Sequence, residues 1–390
     1  MGKLAGQDST VGHFVWIYLF QTGNWIYDQI RFQTSYPSII LARKLENLEQ
    51  FPYDDVYALS TLPLWRSIVE RIIRKLNTGY YPYHYQIAMK EGVRLLHAHL
   101  GRVGQLSIPL ASAIDVPLIT SFYGADMSEQ PSGRGSLEEE YATLFDEGDL
   151  FLVEGPAAKR QIASIGCPQE KIRIQRLGID LEKIRFQPRQ ADNGAPIRFL
   201  MAATFAEKKG MPFGVEAFCR AVQDNPNMRL TVVGDARPTF PREVEIKRQI
   251  LDLVSQYKAE ALVDFLGYVP LDRLRALAYE HDIFMHPSVT ADTGDCEGGS
   301  PVVITEMAAA GLPIISTHHC DIPEVVLNGT TGFLSDERDV DQLREAIIEL
   351  ASDRQLRIQM AKQGREHVEK LFNARSQGWK LAEIYRELLE

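Results

Sequence analysis

The chain is 390 residues long, 45% hydrophobic and 24% charged, proportions that exclude a disordered, collagen-like or repeat-array polypeptide and suit two or three ordinary domains. Its 52 acidic side chains outnumber 42 Lys and Arg for a formal charge of −10, so it lacks the positive footprint of sequence-independent nucleic-acid binding, and no nucleic-acid partner is expected. The four cysteines, Cys167, Cys219, Cys296 and Cys320, form no CxxC pair, which speaks against a disulfide scaffold or zinc knuckle and for a reducing, cytoplasmic setting.

Short apolar runs alternate with amphipathic stretches, the pattern of a parallel α/β sheet. The run 14–20 is seven residues, where a bilayer span needs about 20. It also lacks the basic region and cleavage site of a signal peptide, and 14–19 is expected as a buried first strand. Further strands are expected at 38–41, 95–99, 117–122, 150–153 and 172–174, with helices at 64–76, 103–114 and 155–165. The segment 186–196 (FQPRQADNGAP) is polar and aperiodic, the best linker in the chain. Beyond it come strands at 197–202, 230–233, 263–266, 283–286 and 313–316, and helices at 212–222, 242–257, 271–278 and 301–310. Helices 338–350, 355–371 and 375–388 close the chain. The expected domains are 1–188 and 189–370, each Rossmann-like, with a last helix over 371–390 packing back on the first. Ligands of such sheets bind beyond the carboxyl ends of the strands, which would place a site in the cleft between two facing domains.

The segment from Asp295 to Glu306, DCEGGSPVVITE, carries the most chemistry. A glycine turn runs into a helix opening near Pro301, where proline is tolerated at the first position. Free backbone N–H groups and the positive end of the helix dipole make an anion site suited to a pyrophosphate. Glu297 stands in the turn and Glu306 inside the helix, each able to reach a hydroxylated ring; a capped tight turn with an exposed Glu306 is the plainer alternative.

This segment resembles the donor signature of retaining glycosyltransferases of family four, also called group 1: Glu, seven residues, Glu, then a small-residue helix and Gly-x-Pro. Leu96-His-Ala-His-Leu-Gly101 is similar to the family's His-Ala-His strand end, and Thr120-Ser-Phe-Tyr-Gly-Ala-Asp126 to its Thr-Phe-His-Gly-x-Asp turn. Glu207-Lys-Lys-Gly210, Val232-Val-Gly-Asp235, Phe265-Leu-Gly-Tyr268, His319-Cys-Asp-Ile-Pro-Glu-Val-Val326 and Thr331-Gly-Phe333 continue the likeness. The nearest subgroup is the bacterial and cyanobacterial exopolysaccharide transferases of the colanic-acid type. The resemblance implies a GT-B fold, an α/β architecture of two Rossmann-like domains. It also implies hexosyl transfer, with UDP-glucose the first donor to test, onto a polysaccharide or lipid-linked oligosaccharide.

The resemblance assigns the donor to Gly23, Asp126, Thr204, Lys209, Gly267, Tyr268, Glu297, Gly298, Gly299, Ser300, Pro301, Val302, Val303 and Glu306, and catalytic help to Glu297, Lys209, His99 and Tyr123. Lys209 and backbone N–H groups would carry the charge of the leaving diphosphate, with no cofactor and no divalent metal. Three departures stand out. Eight residues separate Glu297 from Glu306, putting Gly298 where the family has its first carboxylate. Tyr123 replaces a histidine, and a phenol of pKa about 10 is a poor base. Thr204 replaces a phosphate-binding arginine. His99 and His97 also read as packed strand-end histidines, Gly23 in the turn 21–25 as an ordinary turn glycine, and Asp292 and Asp295 as solvated loop acids.

The stretch 64–85 joins a basic amphipathic helix (Trp65, Ile68, Ile72, Ile73, Leu76 with Arg66, Arg71, Arg74, Lys75) to Tyr80, Tyr81, Tyr83 and Tyr85. Such a helix suits peripheral contact at the inner face of the plasma membrane; an apolar stripe packed in the domain core is the other reading. The segments 46–63 and 77–86 are expected as variable loops for the acceptor. A non-catalytic or hydrolytic nucleotide-sugar-binding protein, like a UDP-sugar epimerase, is the alternative function. An oxidoreductase is disfavoured because no GxGxxG follows the first strand.

Overall fold

The computed structural model describes residues 9–20, 23–128, 135–187 and 194–390. It divides into two compact units, Met1–Ile179 with Asn373–Glu390, and Asp180–Phe372. The core of the expected linker, 188–193, with the 188/189 boundary in it, and residues 21–22 of the first turn lie outside the described residues.

The first unit holds β1 (Thr10–Tyr18), β2 (Ser38–Leu45), β3 (Val56–Ala58), β4 (Val93–His99), β5 (Leu118–Ser121), β6 (Leu150–Val153) and β7 (Ile172–Ile174). They form one parallel sheet in the order β3-β2-β1-β4-β5-β6-β7. Its direction of winding reverses between β1 and β4, the switch point where sheets of this type open a crevice. The strands are apolar nearly throughout, as parallel strands buried on both faces must be. Phe14, Leu41, Leu96, Ala98 and Phe151 share one core with Phe122 and Tyr141. The last helix, Ala374–Leu389, belongs to this unit, burying Leu381, Ala382 and Tyr385 against Val11, Leu95 and Leu152.

The second unit repeats the winding with β8 (Ile197–Ala202), β9 (Met228–Val233), β10 (Val263–Gly267), β11 (Ile283–His286), β12 (Ile314–Thr317) and β13 (Gly332–Ser335). Their order is β10-β9-β8-β11-β12-β13, so this sheet reverses between β8 and β11. Helices Met211–Asp224, Pro241–Gln256 and Val340–Ser352 bury Phe218, Ile250 and Ile347 against Phe199 and Leu230. Helix Val302–Ala310 is buried from Ile304 onward, so it is apolar nearly all round. Arg365 Nη1 donates to Ala309 O at 3.0 Å and Ile184 O at 2.9 Å, satisfying a carbonyl at the end of that helix.

Strands β3 and β13, of three and four residues, were not among those expected. Among the described residues, five α-helices lie outside the helical stretches named from the sequence, two of them only four residues long, Ala125–Ser128 and Ile322–Val325. Asn24–Phe32 follows the first turn, Pro82–Lys90 takes the second half of the segment 77–86 expected as loop, and Leu137–Glu147 opens on a capping box between Ser136 and Glu139. Helix Leu64–Ile73 continues into a π turn, Arg74–Thr78, and its apolar stripe faces outward rather than into the core.

Candidate functional site

The loops after β8 and β11 leave the sheet on either side of the second switch point. They can touch because residue 210 is glycine: its φ is 61°, and a Cβ there would lie 1.8 Å from Pro287 O. Val289 N–H donates to Lys208 O at 2.9 Å across the same approach. Two lysines of the β8 loop thereby reach the β11 loop. Lys208 Nζ donates to Asp295 Oδ1 at 3.0 Å and Cys296 O at 3.1 Å. Lys209 Nζ donates to Glu297 Oε2 at 2.8 Å.

Glu297 is fixed on three sides, and its side chain is only 7% exposed. Oε1 accepts from Ser288 Oγ at 2.9 Å. Since the single hydroxyl proton is used there, Ser288 accepts from Nδ1–H of His286, also 2.9 Å away. The Glu297 backbone N–H donates to His319 Nε2 at 3.1 Å. That leaves the proton of His319 on Nδ1, which donates to Glu337 Oε1 at 2.6 Å. Burial by itself raises the Glu297 carboxyl, but nearby positive charge, Lys209 foremost, outweighs it and holds the group at about 2. Burial, followed by the charge of Lys209, lowers His286 to about 4, so it is a neutral imidazole near pH 7.

Beyond Glu297 the chain turns through Gly298, whose φ of 75° lies in the left-handed region. Gly299 O accepts from Asp321 N at 3.3 Å. Pro301 is the N-cap of helix Val302–Ala310 and offers no side-chain acceptor of its own, so the first amides, Val302 and Val303, open the helix without intrahelical partners. Glu306 is 5% exposed, and its Oε1 accepts from Arg275 Nη2 at 2.9 Å. Thr204 is half-buried just beyond β8. Gly267 ends β10 with a φ of 64°, and the neighbouring Tyr268 is exposed, its hydroxyl donating to Asp235 O at 2.7 Å.

The first unit gathers a second polar cluster at its own switch point. His13 on β1 is paired in register with His97 on β4, and His99 lies two residues further. All three are buried. Tyr123 donates to Gln29 Oε1 at 3.0 Å, so it accepts from His99 Nδ1–H at 2.7 Å. His99 Nε2 then accepts from His13 Nδ1–H at 3.0 Å, and His13 Nε2 is left as a buried acceptor with no partner among the described residues. His97 lies 2.6 Å from Tyr385 Oη and 2.7 Å from Ser121 Oγ. Burial drives His13 down to about 3 and His97 and His99 well below their ordinary range. Burial likewise pushes the Tyr123 phenol well above its ordinary value. The three rings offer nitrogens within 4.8 Å of one another, close enough for a metal; a metal there would have to replace the hydrogen bonds just described.

Asp126 spends its carboxylate on the backbone. Oδ2 accepts from Gly101 N–H at 2.8 Å, at the start of helix Gly101–Ile114, and Oδ1 accepts from Tyr123 N–H at 3.0 Å. Gly23 is the N-cap of helix Asn24–Phe32, its N–H on Phe20 O at 2.8 Å.

Lys209, Glu297 and the turn 298–301 thus lie together in the second unit, with Glu306 further along the helix on its own arginine. His99, Tyr123, Asp126 and Gly23 belong to the first unit. The sequence reading missed Arg275, Ser288, His286 and Glu337 as site residues. Only His286 carried a signal, as the end of an expected strand at a switch point.

The family model described as "Glycosyl transferases group 1" matches residues 182–367. An Escherichia coli (strain K12) protein provisionally named colanic acid biosynthesis glycosyltransferase WcaL is 31% identical over 307 residues, 78% of this chain and 73% of that protein. Amylovoran biosynthesis glycosyltransferase AmsK of Erwinia amylovora is 31% identical over 296 residues, covering 74% of this chain and 69% of that protein. Among solved structures, Anabaena Alr3699/HepE in complex with UDP superposes with a TM-score of 0.77 at 17% identity, over 97% of this chain and 100% of that one. Sucrose-phosphate synthase from Thermosynechococcus elongatus gives 0.73 at 18%, over 97% and 99%. At such identities the likeness speaks for the fold alone, the GT-B architecture of two doubly wound sheets.

Proposed function

The chain belongs to the glycosyl transferases group 1 family, and on that footing we propose that it transfers a hexose, with retention, from a UDP-sugar to a saccharide or lipid-linked oligosaccharide. The process is exopolysaccharide biosynthesis, for which the relatives named for colanic acid and amylovoran are the support. UDP-glucose is the donor to test first, because Anabaena Alr3699/HepE, a neighbour in fold, has been solved in complexes with UDP and with UDP-glucose.

The observation that carries the reading is the Lys209–Glu297 pair beside a helix amino end whose N-cap, Pro301, offers no side-chain acceptor. Departure of UDP breaks the bond between the anomeric carbon and a β-phosphate oxygen and builds negative charge on that oxygen. Lys209 and the amides of Gly299, Ser300, Val302 and Val303 would meet that charge without a divalent metal, positioned before the reaction begins. Glu297 would hold hydroxyls of the transferred sugar and orient Lys209, while Glu306, held by Arg275, would bind the ribose. The acceptor oxygen then bonds the anomeric carbon on the face the diphosphate leaves, and its proton passes to the departing phosphate oxygen.

The test is a thermal-shift panel of UDP, UDP-glucose, UDP-galactose and GDP-mannose, with and without EDTA, followed by turnover. A bound donor at a hundred times its Kd adds about 2.7 kcal/mol of apparent stability. We expect stabilisation by UDP and one UDP-hexose that EDTA leaves intact, and a loss of about 10²- to 10³-fold in kcat for Lys209→Met. No stabilisation by any nucleotide sugar refutes the reading. Binding with hydrolysis but no transfer in any acceptor extract replaces it with the hydrolytic alternative.

A further inference from the structure

Helix Leu64–Ile73 is built inside out. Its buried residues are Ser67 and Glu70, and Glu70 Oε2 accepts from Tyr83 N–H at 2.8 Å. Its large apolar side chains, Leu64, Trp65, Ile68, Val69 and Ile72, point into solvent, and Leu76 in the following π turn joins them. Trp65 is 67% and Leu76 78% exposed. Positions 64, 65, 68, 69 and 72 recur at helical spacing and so form a single stripe. Left in water, a stripe of this size has no structural purpose, since the helix is anchored from its other side.

The charges beside the stripe are all of one sign. Arg66, Arg71 and Lys75 border it, Arg74 lies toward the anchored side, and the single acid of 64–78, Glu70, is the buried one. Arg66 rests over the ring of Tyr83 at 5.6 Å and Arg74 over Tyr81 at 5.1 Å, so two of the four cations are held in place by aromatic faces. This cationic strip stands on a chain whose formal charge is −10. An apolar face bordered by cations, with an exposed tryptophan at one end, is complementary to an anionic lipid surface. The apolar side chains meet the boundary of the acyl chains, and Arg and Lys meet the head-group phosphates.

We propose that the face formed by Leu64, Trp65, Ile68, Ile72 and Leu76 docks this chain on an anionic bilayer, with the helix lying in the plane of the interface. Fifteen residues, 64–78, extend about 22 Å at about 1.5 Å per residue, enough to present the whole stripe at once. Among the described residues no helix is long and apolar enough to cross a membrane. The docking goes beyond the donor reading and does not depend on which sugar is moved.

The experiment is co-flotation of the full chain with phosphatidylcholine vesicles, with and without phosphatidylglycerol, at low and raised salt. Trp65 emission serves as the reporter of insertion. We expect flotation with anionic vesicles that weakens with salt, and a blue shift that Trp65→Phe abolishes. Binding should fall by about fivefold for each cation removed in Arg71→Gln and Lys75→Gln, and should be lost in Trp65→Ser/Leu76→Ser. These side chains are exposed, so thermal unfolding and UDP-glucose response should match the parent, which separates failure here from failure of the donor reading. The proposal is overturned if the chain stays with the soluble fraction at low salt, or if the variants float as well as the parent. It is equally overturned if the stripe instead pairs two copies, seen as a dimer that Trp65→Ser/Leu76→Ser dissociates while lipid binding is absent.

Discussion

Replacing Lys209 with methionine takes the cation away from a carboxylate that cannot regain water, because its side chain is 7% exposed and that of the lysine 20%. The Glu297 carboxyl is held at about 2 against an ordinary 4.5. A displacement of that size corresponds to about 3 kcal/mol of stability, at the lower edge of the roughly 3–5 kcal/mol lost when one partner of a buried pair is removed. The retained bond from Ser288 keeps the loss from growing further. For a unit of about 190 residues, such a loss lowers Tm by roughly 6–12 °C. The sign with pH is definite. A carboxyl depressed in the folded state contributes fully above pH 4.5, and the contribution disappears as pH falls toward 2. The gap between parent and variant is therefore widest at neutral pH and narrows in acid. Differential scanning calorimetry at neutral pH and at pH near 4 measures it, with Lys209→Met/Glu297→Gln as the second variant. Removing both charges should recover at least half of the lost Tm, since no unpaired carboxylate is then left buried. An equal Tm loss at both pH values, or a double variant no better than the single, refutes the argument.

The buried histidines make the first unit sensitive to mild acid. Burial places His13 at about 3 and His97 and His99 well below their ordinary range, so below pH 6.5 the unfolded chain takes up protons that the folded chain refuses. Stability is whole above that pH and declines on the way down, by about 1 kcal/mol per histidine between pH 6.5 and 5.5; a flat urea-midpoint profile across that interval contradicts the assignment. Gly210→Ala should cost more than Gly166→Ala, although both glycines have positive φ, 61° and 97°. A Cβ at 166 meets nothing within 4 Å, whereas one at 210 lies 1.8 Å from Pro287 O. The first measures backbone strain alone, about 1–2 kcal/mol. The second also forces apart the loops that carry Lys209 and Glu297, with more than a tenfold loss of UDP-glucose affinity; equal thermal shifts and equal affinities would show that close approach is not the reason for the glycine.

Periodicity and composition were enough to find the sheets. Strands β6, β8 and β11 lie where the apolar runs put them, because a strand buried on both faces has to be apolar whatever its neighbours are. The glycine turn at 298–299 and the helix after Pro301 were legible for a similar reason: chain direction, left-handed φ and a missing N–H are local properties. The capping box at Ser136 and Glu139 was equally local and was overlooked. Other features had no local sign. Arg275 reads as any surface cation until the fold brings it to Glu306, 31 residues away, and His13 reads as a strand residue until parallel pairing sets it beside His97 and His99. The stripe of helix Leu64–Ile73 shows the division most plainly. The spacing of Trp65, Ile68 and Ile72 determined that one side of the helix is apolar. Which side meets water was decided by Glu70 reaching the Tyr83 amide and by Ser67 packing inward, because helical spacing is set along the chain whereas burial is set by partners distant in it.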